Sequence, residues 1–186
     1  MRQLIALEYL TLDGVMEAPE KWQFPYLSED VTRIIQTQIQ EADAILLGRV
    51  TYDIFAASWP NRTNNEFGVA DKLNSAPKFV VSSTLDKVEW NNSTLIKGKV
   101  EEEIAMLKQQ PGGNIAVIGS ATLVQSLMEY DLIDEYRLMI HPIVLGSGKH
   151  LFEDGSALKS LKLVNSEVTT TGVVNLTYRP RRNGDS

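Results

Sequence analysis

Apolar residues in the first two thirds of the chain follow two alternating patterns, one typical of buried strands and one of amphipathic helices. Short apolar runs predict strands at 3–9, 43–48, 78–83, 93–98 and 114–118. Apolar residues at helical spacing, such as Val31, Ile34 and Ile39, predict helices at 29–42, 49–59, 99–110 and 121–129. The segment 61–77 has few apolar residues and is predicted to be a loop with one helical turn.

The last third of the chain shows strand patterns alone. Apolar residues at 134–146 predict one long strand, and the alternation at 161–180 predicts a hairpin that turns near Gly172. This order is typical of an α/β protein with a mostly parallel central sheet, helices on both faces and an antiparallel hairpin at the C-terminus. Residues 1–180 are predicted to form a single domain, followed by a disordered tail at 181–186.

Composition excludes several classes of function. The 186 residues carry a net charge of −6, which argues against the basic surface that nucleic acids need. The chain has no cysteine, so disulfides, thiolate metal sites and cysteine nucleophiles are excluded, and no metal site is predicted. It shows no secretion signal and no apolar segment long enough to span a bilayer, so the expected location is the cytoplasm, with no membrane partner.

Small and polar residues follow three of the predicted parallel strands. They are Gly48, Arg49 and Thr51; Ser82 and Ser83; and Gly119, Ser120, Ala121 and Thr122. Parallel strands bring their carboxyl ends to one edge of the sheet, where glycines, hydroxyls and a guanidinium suit a phosphate. Each cluster alone also fits a simple strand–helix junction, a solvated arginine or a local loop. The dinucleotide fingerprint G-x-G-x-x-G is absent.

The motifs strand–G-R-x-T–helix, strand–S-S and V-I-G-S-A before a helix resemble the dihydrofolate reductase superfamily in order and spacing, over nearly the whole chain. The segments YLTLDGVM and IHPIVLGSGKHLF are more specifically similar to the reductase domain of bifunctional riboflavin-biosynthesis deaminase/reductase proteins. The deaminase half needs a His/Cys zinc site, which a chain without cysteine lacks. The resemblance therefore implies a three-layer dihydrofolate reductase-like fold that carries a reductase activity alone.

The resemblance implies NADPH as the cofactor. Gly48, Arg49 and Thr51 would contact its phosphates, with Arg49 on the 2′-phosphate. Ser82 and Ser83 would lie near the adenosine. The pyrophosphate would rest at a helix N-terminus, on Gly119, Ser120, Ala121 and Thr122.

A second group of matching residues implies a substrate pocket. Asp13 and Gly14 match the Asp-Gly of the loop that covers the nicotinamide and the substrate. The glycine loop beside the pocket is matched by Gly146, Ser147 and Gly148. Asp13 is our catalytic candidate, because it can orient a substrate hydroxyl or supply a proton through water, although Asp-Gly is also a common turn pair.

The chain departs from dihydrofolate reductases at the start of the first helix. Those enzymes place a pterin-binding carboxylate there, whereas Glu29 and Asp30 lie only near that position and also suit a helix N-terminus. The leading hypothesis is therefore an NADPH-dependent reductase of a small heterocyclic or sugar-linked substrate, as in riboflavin biosynthesis. The alternatives are a dihydrofolate or other pterin reductase and a nucleotide-binding protein without turnover. A homodimer is possible, with the strand at 134–146 as its seam.

Overall fold

The apolar runs of the sequence form eight strands of one sheet in the computed structural model, which describes residues 1–181. The strands are β1 (Leu4–Thr11), β2 (Ala44–Gly48), β3 (Lys78–Val81), β4 (Ser93–Ile96), β5 (Ile115–Val117), β6 (Glu135–His141), β7 (Leu161–Val168) and β8 (Val174–Pro180). The helices are α1 (Glu29–Gln40), α2 (Arg49–Ser58), α3 (Ala70–Ser75), α4 (Val100–Gln109) and α5 (Ala121–Glu129). No helix among residues 1–181 is long and apolar enough to cross a membrane.

The strand order is β4-β3-β2-β5-β1-β6-β8-β7. Strands β1 to β6 pair in parallel, and β8 pairs antiparallel with both β6 and β7. The predicted α/β fold, with a mostly parallel sheet and a C-terminal antiparallel hairpin, is confirmed. Because β2 and β5 are direct neighbours, the turns that follow them meet at the same edge of the sheet.

Apolar side chains pack on both faces of the sheet, which gives three layers. On β1, Leu4 and Ala6 join the core beneath α4 and α5. Ile5 and Leu7 point to the opposite face and join the core beneath α1, α2 and α3. A central parallel strand covered on both faces reads as a nearly continuous apolar run, and this explains the sequence LIALEYLT.

Two segments differ from the prediction. The segment 61–77 contains a short 3₁₀ turn, Glu66–Gly68, and the helix α3. The predicted strand at 134–146 ends at His141, because Pro142 has no amide hydrogen for the ladder and Ile143 N–H turns back to His141 O at 2.8 Å.

Two further predictions concern the dimer seam and the C-terminal tail. Strand β6 lies between β1 and β8 and is hydrogen-bonded on both sides, so it offers no free edge for a dimer seam. In the predicted tail, Arg181 N–H donates to Ser160 O at 2.9 Å. Residues 182–186 lie outside the described residues.

Candidate active site

Two helix N-termini lie side by side where β2 and β5 end. The turns touch directly, since Gly48 N–H donates to Gly119 O at 3.0 Å. The N-cap residues of α2 and α5 are Gly48 and Ser120, and neither supplies a side-chain cap. The first-turn amides of both helices therefore remain without side-chain acceptors, at the positive ends of two helix dipoles. This is an arrangement that suits an anion.

Glycine is required at both turns because the backbones approach so closely. A Cβ atom on Gly48 would collide with the Ser120 side chain and lie 2.8 Å from its amide nitrogen. A Cβ atom on Gly119 would lie 2.7 Å from Thr51 Oγ1, and Gly119 has a φ of +56°. The peptide bond between Gly119 and Ser120 is cis. The structure thus brings Gly48, Thr51, Gly119 and Ser120 together.

Arg49 stands at the outer side of this pair of turns. Its side chain is 52% exposed, and it donates to Asp53 Oδ2 at 3.3 Å and to Thr84 Oγ1 at 3.2 Å. The guanidinium therefore lies beside the turn that follows β3, which also contains Ser82 and Ser83.

The two serines of that turn have different surroundings. Ser82 is buried, and its Oγ accepts the amides of Thr84 and Leu85 at 3.2 and 3.1 Å, so this hydroxyl organises the local turn. Ser83 is exposed to solvent. Further along the edge, Thr122 is also exposed, and its carbonyl accepts Ser126 Oγ at 3.0 Å within α5.

A cavity of about 310 Å³ opens next to the paired turns. Its walls come from the end of β1, the entrance segment (residues 16–23), one face of α2 and the turn that follows β5. Val50, Ile54 and Phe55 make the α2 wall apolar, whereas Thr51 and Ser120 place hydroxyls at the side next to the paired turns. An apolar cavity beside an anion site matches the two halves of a nicotinamide nucleotide. The residues present therefore fit such a cofactor.

Asp13 belongs to a pair of interlocked loops at one side of this cavity. Its Oδ1 accepts Thr11 Oγ1 at 2.6 Å and Leu145 N–H at 3.2 Å, and its Oδ2 accepts Gly146 N–H at 2.8 Å. These donors hold the pKa of Asp13 down to about 2, the Thr11 hydroxyl having the largest effect. Asp13 itself is not one of the cavity-lining residues. Through these contacts Asp13 holds the backbone at the start of the glycine loop (residues 146–148) in place.

Backbone hydrogen bonds continue the pairing of the two loops. Met16 N–H donates to Lys149 O at 2.8 Å, and Leu151 N–H donates to Gly14 O at 3.2 Å. A Cβ atom on Gly148 would lie 2.6 Å from Val15 Cγ1, so this glycine too allows a close approach. The structure thus joins Gly14 to the glycine loop. The two loops reach the cavity through Met16, Glu17 and Lys149.

Glu8 is a cavity residue that the sequence reasoning missed. It lies on β1, is only 5% exposed, and accepts Gly119 N–H on Oε1 at 2.9 Å. Burial raises the pKa of Glu8 from its ordinary 4.5 to about 8, and the Gly119 amide offsets only part of this. A signal for it exists in the sequence, because Glu8 is the one charged residue in the apolar run of β1.

The acids at the start of α1 do not reach the cavity. Asp30 accepts the Ser28 hydroxyl, Val31 N–H at 3.0 Å and Thr170 N–H at 2.7 Å, so it ties α1 to the C-terminal hairpin. His141 is also structural: its Nδ1 lies 3.0 Å from Met139 O, and its ring packs edge-on against Trp22. Burial lowers the pKa of His141.

The layered sheet and its strand order are those of the dihydrofolate reductase-like fold. The chain belongs to the RibD C-terminal domain family, whose model matches residues 2–175. It is 32% identical to the Bacillus subtilis (strain 168) protein YyaP over 179 residues, which is 95% of this chain and 94% of YyaP.

Solved structures show the same fold. A crystal structure from Shewanella sp. PV-4, assigned to riboflavin biosynthesis, has a TM-score of 0.74 and 24% identity, and the match covers 97% of this chain and 99% of that chain. Dihydrofolate reductase from Enterococcus faecalis, complexed with NADP(H) and RAB-propyl, has a TM-score of 0.64 and 16% identity, with 97% of each chain covered. The predicted dihydrofolate reductase-like fold and the predicted similarity to the riboflavin-type reductase domain are confirmed.

Proposed function

We propose that this chain is an NADPH-dependent reductase of a small heterocyclic or sugar-linked substrate, similar to the 5-amino-6-(5-phosphoribosylamino)uracil reductase of riboflavin biosynthesis. The observation that carries this proposal is the pair of helix N-termini without side-chain caps, at Gly48 and Ser120, beside a largely apolar cavity. Membership of the RibD C-terminal domain family supports it.

The anion-binding part of the site would hold the cofactor. Gly48, Thr51 and the turn at 119–122 would bind the pyrophosphate through backbone amides and hydroxyls. Arg49 would bind the 2′-phosphate, since its exposed guanidinium can form a bidentate, charge-assisted contact. Ser82 and Ser83 would lie near the adenosine, Ser82 by shaping its turn. When bound, NADPH supplies a hydride to an electrophilic C=N or C=O carbon.

The charges around the cavity indicate the substrate class. Among the described residues that line it, Glu8, Glu17 and Glu20 carry carboxyl groups and Lys149 is the only cation. Three carboxyl groups suit a substrate rich in N–H donors, as amino-substituted heterocycles are. Lys149, next to the glycine loop, would meet a phosphate on a sugar-linked substrate.

The interlocked loops would position that substrate. Asp13 fixes Gly146, Gly14 O accepts Leu151 N–H, and Gly148 allows the loops to approach each other, so the wall beside the cavity is held in one geometry. Ser147, which is exposed at the tip of the glycine loop, would contact the substrate. The contacts of Asp13 favour positioning over direct proton transfer, because its oxygens already accept three hydrogen bonds.

The alternative of a dihydrofolate or pterin reductase requires a carboxylate that binds the pterin ring. Asp30 is directed to the hairpin instead, and this favours the riboflavin-type substrate. We further propose that residues 1–180 act as one reductase domain in the cytoplasm and that a homodimer would use a surface other than the edge of β6.

The experiment combines a ligand survey with an activity assay. Small molecules retained on the purified protein are identified by mass spectrometry, and NADPH and NADH are then titrated by fluorescence. NADPH oxidation is measured with the ribosylaminouracil phosphate and, in parallel, with dihydrofolate. Tight NADPH binding with turnover of the uracil compound supports the proposal. Binding without turnover of either compound would favour a nucleotide-binding protein, and no binding would refute the cofactor site.

A further inference from the structure

We propose that Glu8 is the acid of this site, a carboxyl group that holds a proton inside the cavity and gives it to the heteroatom of the substrate's C=N or C=O bond. This inference rests on the proposed function. It assigns the proton-donating role to a residue on the central strand, away from Asp13 and from the start of α1.

The position of Glu8 carries the first part of the argument. The residue lines the cavity, yet only 5% of its surface is exposed. Among the described residues, its carboxyl group has one hydrogen-bond donor, the Gly119 amide on Oε1, and no cation within ion-pair distance. Within residues 1–181 the second oxygen has no hydrogen-bond partner, and because Glu8 lines the cavity, a proton on this oxygen is available to a substrate bound there.

A second buried glutamate has different surroundings. Glu135 is 3% exposed, and its two oxygens accept Arg137 Nε at 2.7 Å and Arg179 Nη2 at 2.8 Å. Two guanidinium groups therefore lie against that carboxyl group. Glu8 is similarly buried but has no such cation, and a buried carboxyl without a cation is more stable in its neutral, protonated form.

The other titratable groups around the cavity are not what sets the protonation of Glu8. Tyr9 neighbours Glu8 on β1, Glu17 and Glu20 face the cavity from the entrance segment, and Lys149 faces it from the loop beyond β6. Glu17, Glu20 and Lys149 are exposed to solvent, and the pKa of Glu8 is raised by burial and lowered in part by the Gly119 amide. In the described part of the chain, no titratable residue lines the cavity from α2 or α5.

Two other acids near the cavity already accept hydrogen bonds from the protein. Asp13 has a pKa of about 2 and is occupied by three donors, so it is an acceptor at neutral pH. Glu17 is exposed and accepts Lys149 N–H at 3.2 Å. Glu8, with a pKa of about 8, holds a proton at neutral pH and releases it near the operating range, as general acid catalysis requires.

The proposed step balances. The substrate carbon accepts a hydride, with its electron pair, from the reduced nicotinamide nucleotide, which is thereby oxidised. The π electrons of the C=N or C=O bond move to the heteroatom, which takes the proton of Glu8. The carboxylate that remains then recovers a proton from solvent, so the net change is the addition of two hydrogens across one double bond.

The first test needs neither cofactor nor substrate. Infrared spectroscopy follows the C=O stretch of protonated carboxyl groups from pH 5 to pH 10 in the wild type, in Glu8→Gln and in Glu135→Gln as the control. We expect a band that disappears with a midpoint near pH 8, is absent in Glu8→Gln and persists in Glu135→Gln. A wild type without this band at pH 7 overturns the proposal.

The second test separates proton donation from a role in holding the Gly119 turn. Glu8→Gln keeps an oxygen for the Gly119 amide, so NADPH affinity should stay within twofold of wild type. kcat should fall by about 10²–10⁴-fold, and the decline of wild-type kcat above about pH 8 should vanish. If Glu8→Gln does not fold, Glu8→Asp replaces it, with the carboxyl retained and kcat lowered because the group is withdrawn by one methylene.

The outcomes distinguish this inference from the proposed function. A wild type that binds no dinucleotide refutes the proposed function, and the acid role with it, even if the infrared band is present. A wild type that reduces its substrate, combined with a variant that is equally fast or keeps the same pH profile, overturns the acid role alone. A parallel loss of NADPH affinity and kcat would also overturn it, because Glu8 would then be a support for the Gly119 turn.

Discussion

The Asp13 carboxylate fixes the backbone of the glycine loop, its Oδ2 accepting Gly146 N–H at 2.8 Å across 133 residues of sequence. The other oxygen accepts Thr11 Oγ1 and Leu145 N–H, so one side chain ties the loop after β1 to the loop after β6. Both loops border the cavity, so Asp13 acts together with the backbone bonds between the loops to fix its shape on this side.

Asp13→Asn should therefore impair substrate use without weakening the cofactor. The amide group replaces one acceptor oxygen by a donor, which loses at least one of the three hydrogen bonds and loosens the loop pair. We expect kcat/KM to fall by about 10²-fold and the NADPH dissociation constant to stay unchanged, because the turns proposed to bind the phosphates are separate from this loop pair. Steady-state kinetics measure kcat/KM, and fluorescence titration measures the NADPH dissociation constant.

The matched control is Asp71→Asn, an exposed carboxylate in the first turn of α3. Its kinetics should equal wild type. Asp13→Asn with normal kinetics but lower stability would restrict Asp13 to a turn residue, and a loss confined to kcat would restore its predicted catalytic role.

Arg49→Ala should distinguish the two nicotinamide nucleotides. A charge-assisted contact with the 2′-phosphate contributes about 1.5–3 kcal/mol, so NADPH affinity should fall tenfold or more at ~1.4 kcal/mol per decade. NADH has no 2′-phosphate, and its affinity should hardly change. Arg33→Ala is the control, since Arg33 pairs with Glu167 away from the cavity. Equal losses for both nucleotides would place Arg49 elsewhere on the cofactor.

Gly119→Val should abolish dinucleotide binding and also lower stability. A side chain at this position meets Thr51 Oγ1, and the φ of +56° alone costs about 1–2 kcal/mol for a residue with a Cβ. Titration calorimetry measures the binding, and urea denaturation the stability. Gly119→Ala combined with Thr51→Ala relieves the collision and separates the two effects. Binding that survives in a folded Gly119→Val would make the turn a structural junction only.

The burial of Glu8 should appear in the pH dependence of stability. Between about pH 4.5 and pH 8 the folded chain keeps the Glu8 proton while the unfolded chain has released it. The free energy of unfolding should therefore fall as pH rises through this range, by at most ~1.4 kcal/mol per pH unit. The measurement is urea denaturation at several pH values, with the wild-type curve compared to that of Glu8→Gln. Two parallel curves would show that Glu8 is ionised in the folded chain.

The fold could be predicted from the sequence because its elements are locally encoded. The Ser28 cap and the spacing of Val31, Ile34 and Ile39 define α1, and the buried run AILLG defines β2. The end of β6 was missed because apolar residues continue past Pro142, although the missing amide hydrogen of Pro142 is a signal for it. Beyond Pro142 the segment pairs with the loop after β1, as in the bond from Leu12 N–H to Ile143 O at 2.8 Å, and this pairing between distant segments does not show in the sequence.

The site was predictable only in part. The sequence places glycines and hydroxyls at strand ends, and a parallel sheet then brings Gly48 near Gly119. It shows Glu8 as the one charged residue in the apolar run of β1, but not that this side chain lines a cavity next to the Gly119 turn. Nor does it show that the Ser82 hydroxyl turns inward to local amides, because this depends on the turn's own backbone.

The position of β1 in the middle of the sheet affects how the protein is made. Strand β1 is synthesised before both of its neighbours, because β5 begins at Ile115 and β6 at Glu135. Until these neighbours are synthesised, the apolar strand β1 has two unpaired edges in the nascent chain, and this favours aggregation. Glu8 is ionised in that nascent chain, where its pKa is the ordinary 4.5, and a charge inside an apolar strand opposes self-association. As an anion this side chain therefore opposes self-association of the nascent chain, and it becomes a neutral acid when the sheet has formed on both sides of β1.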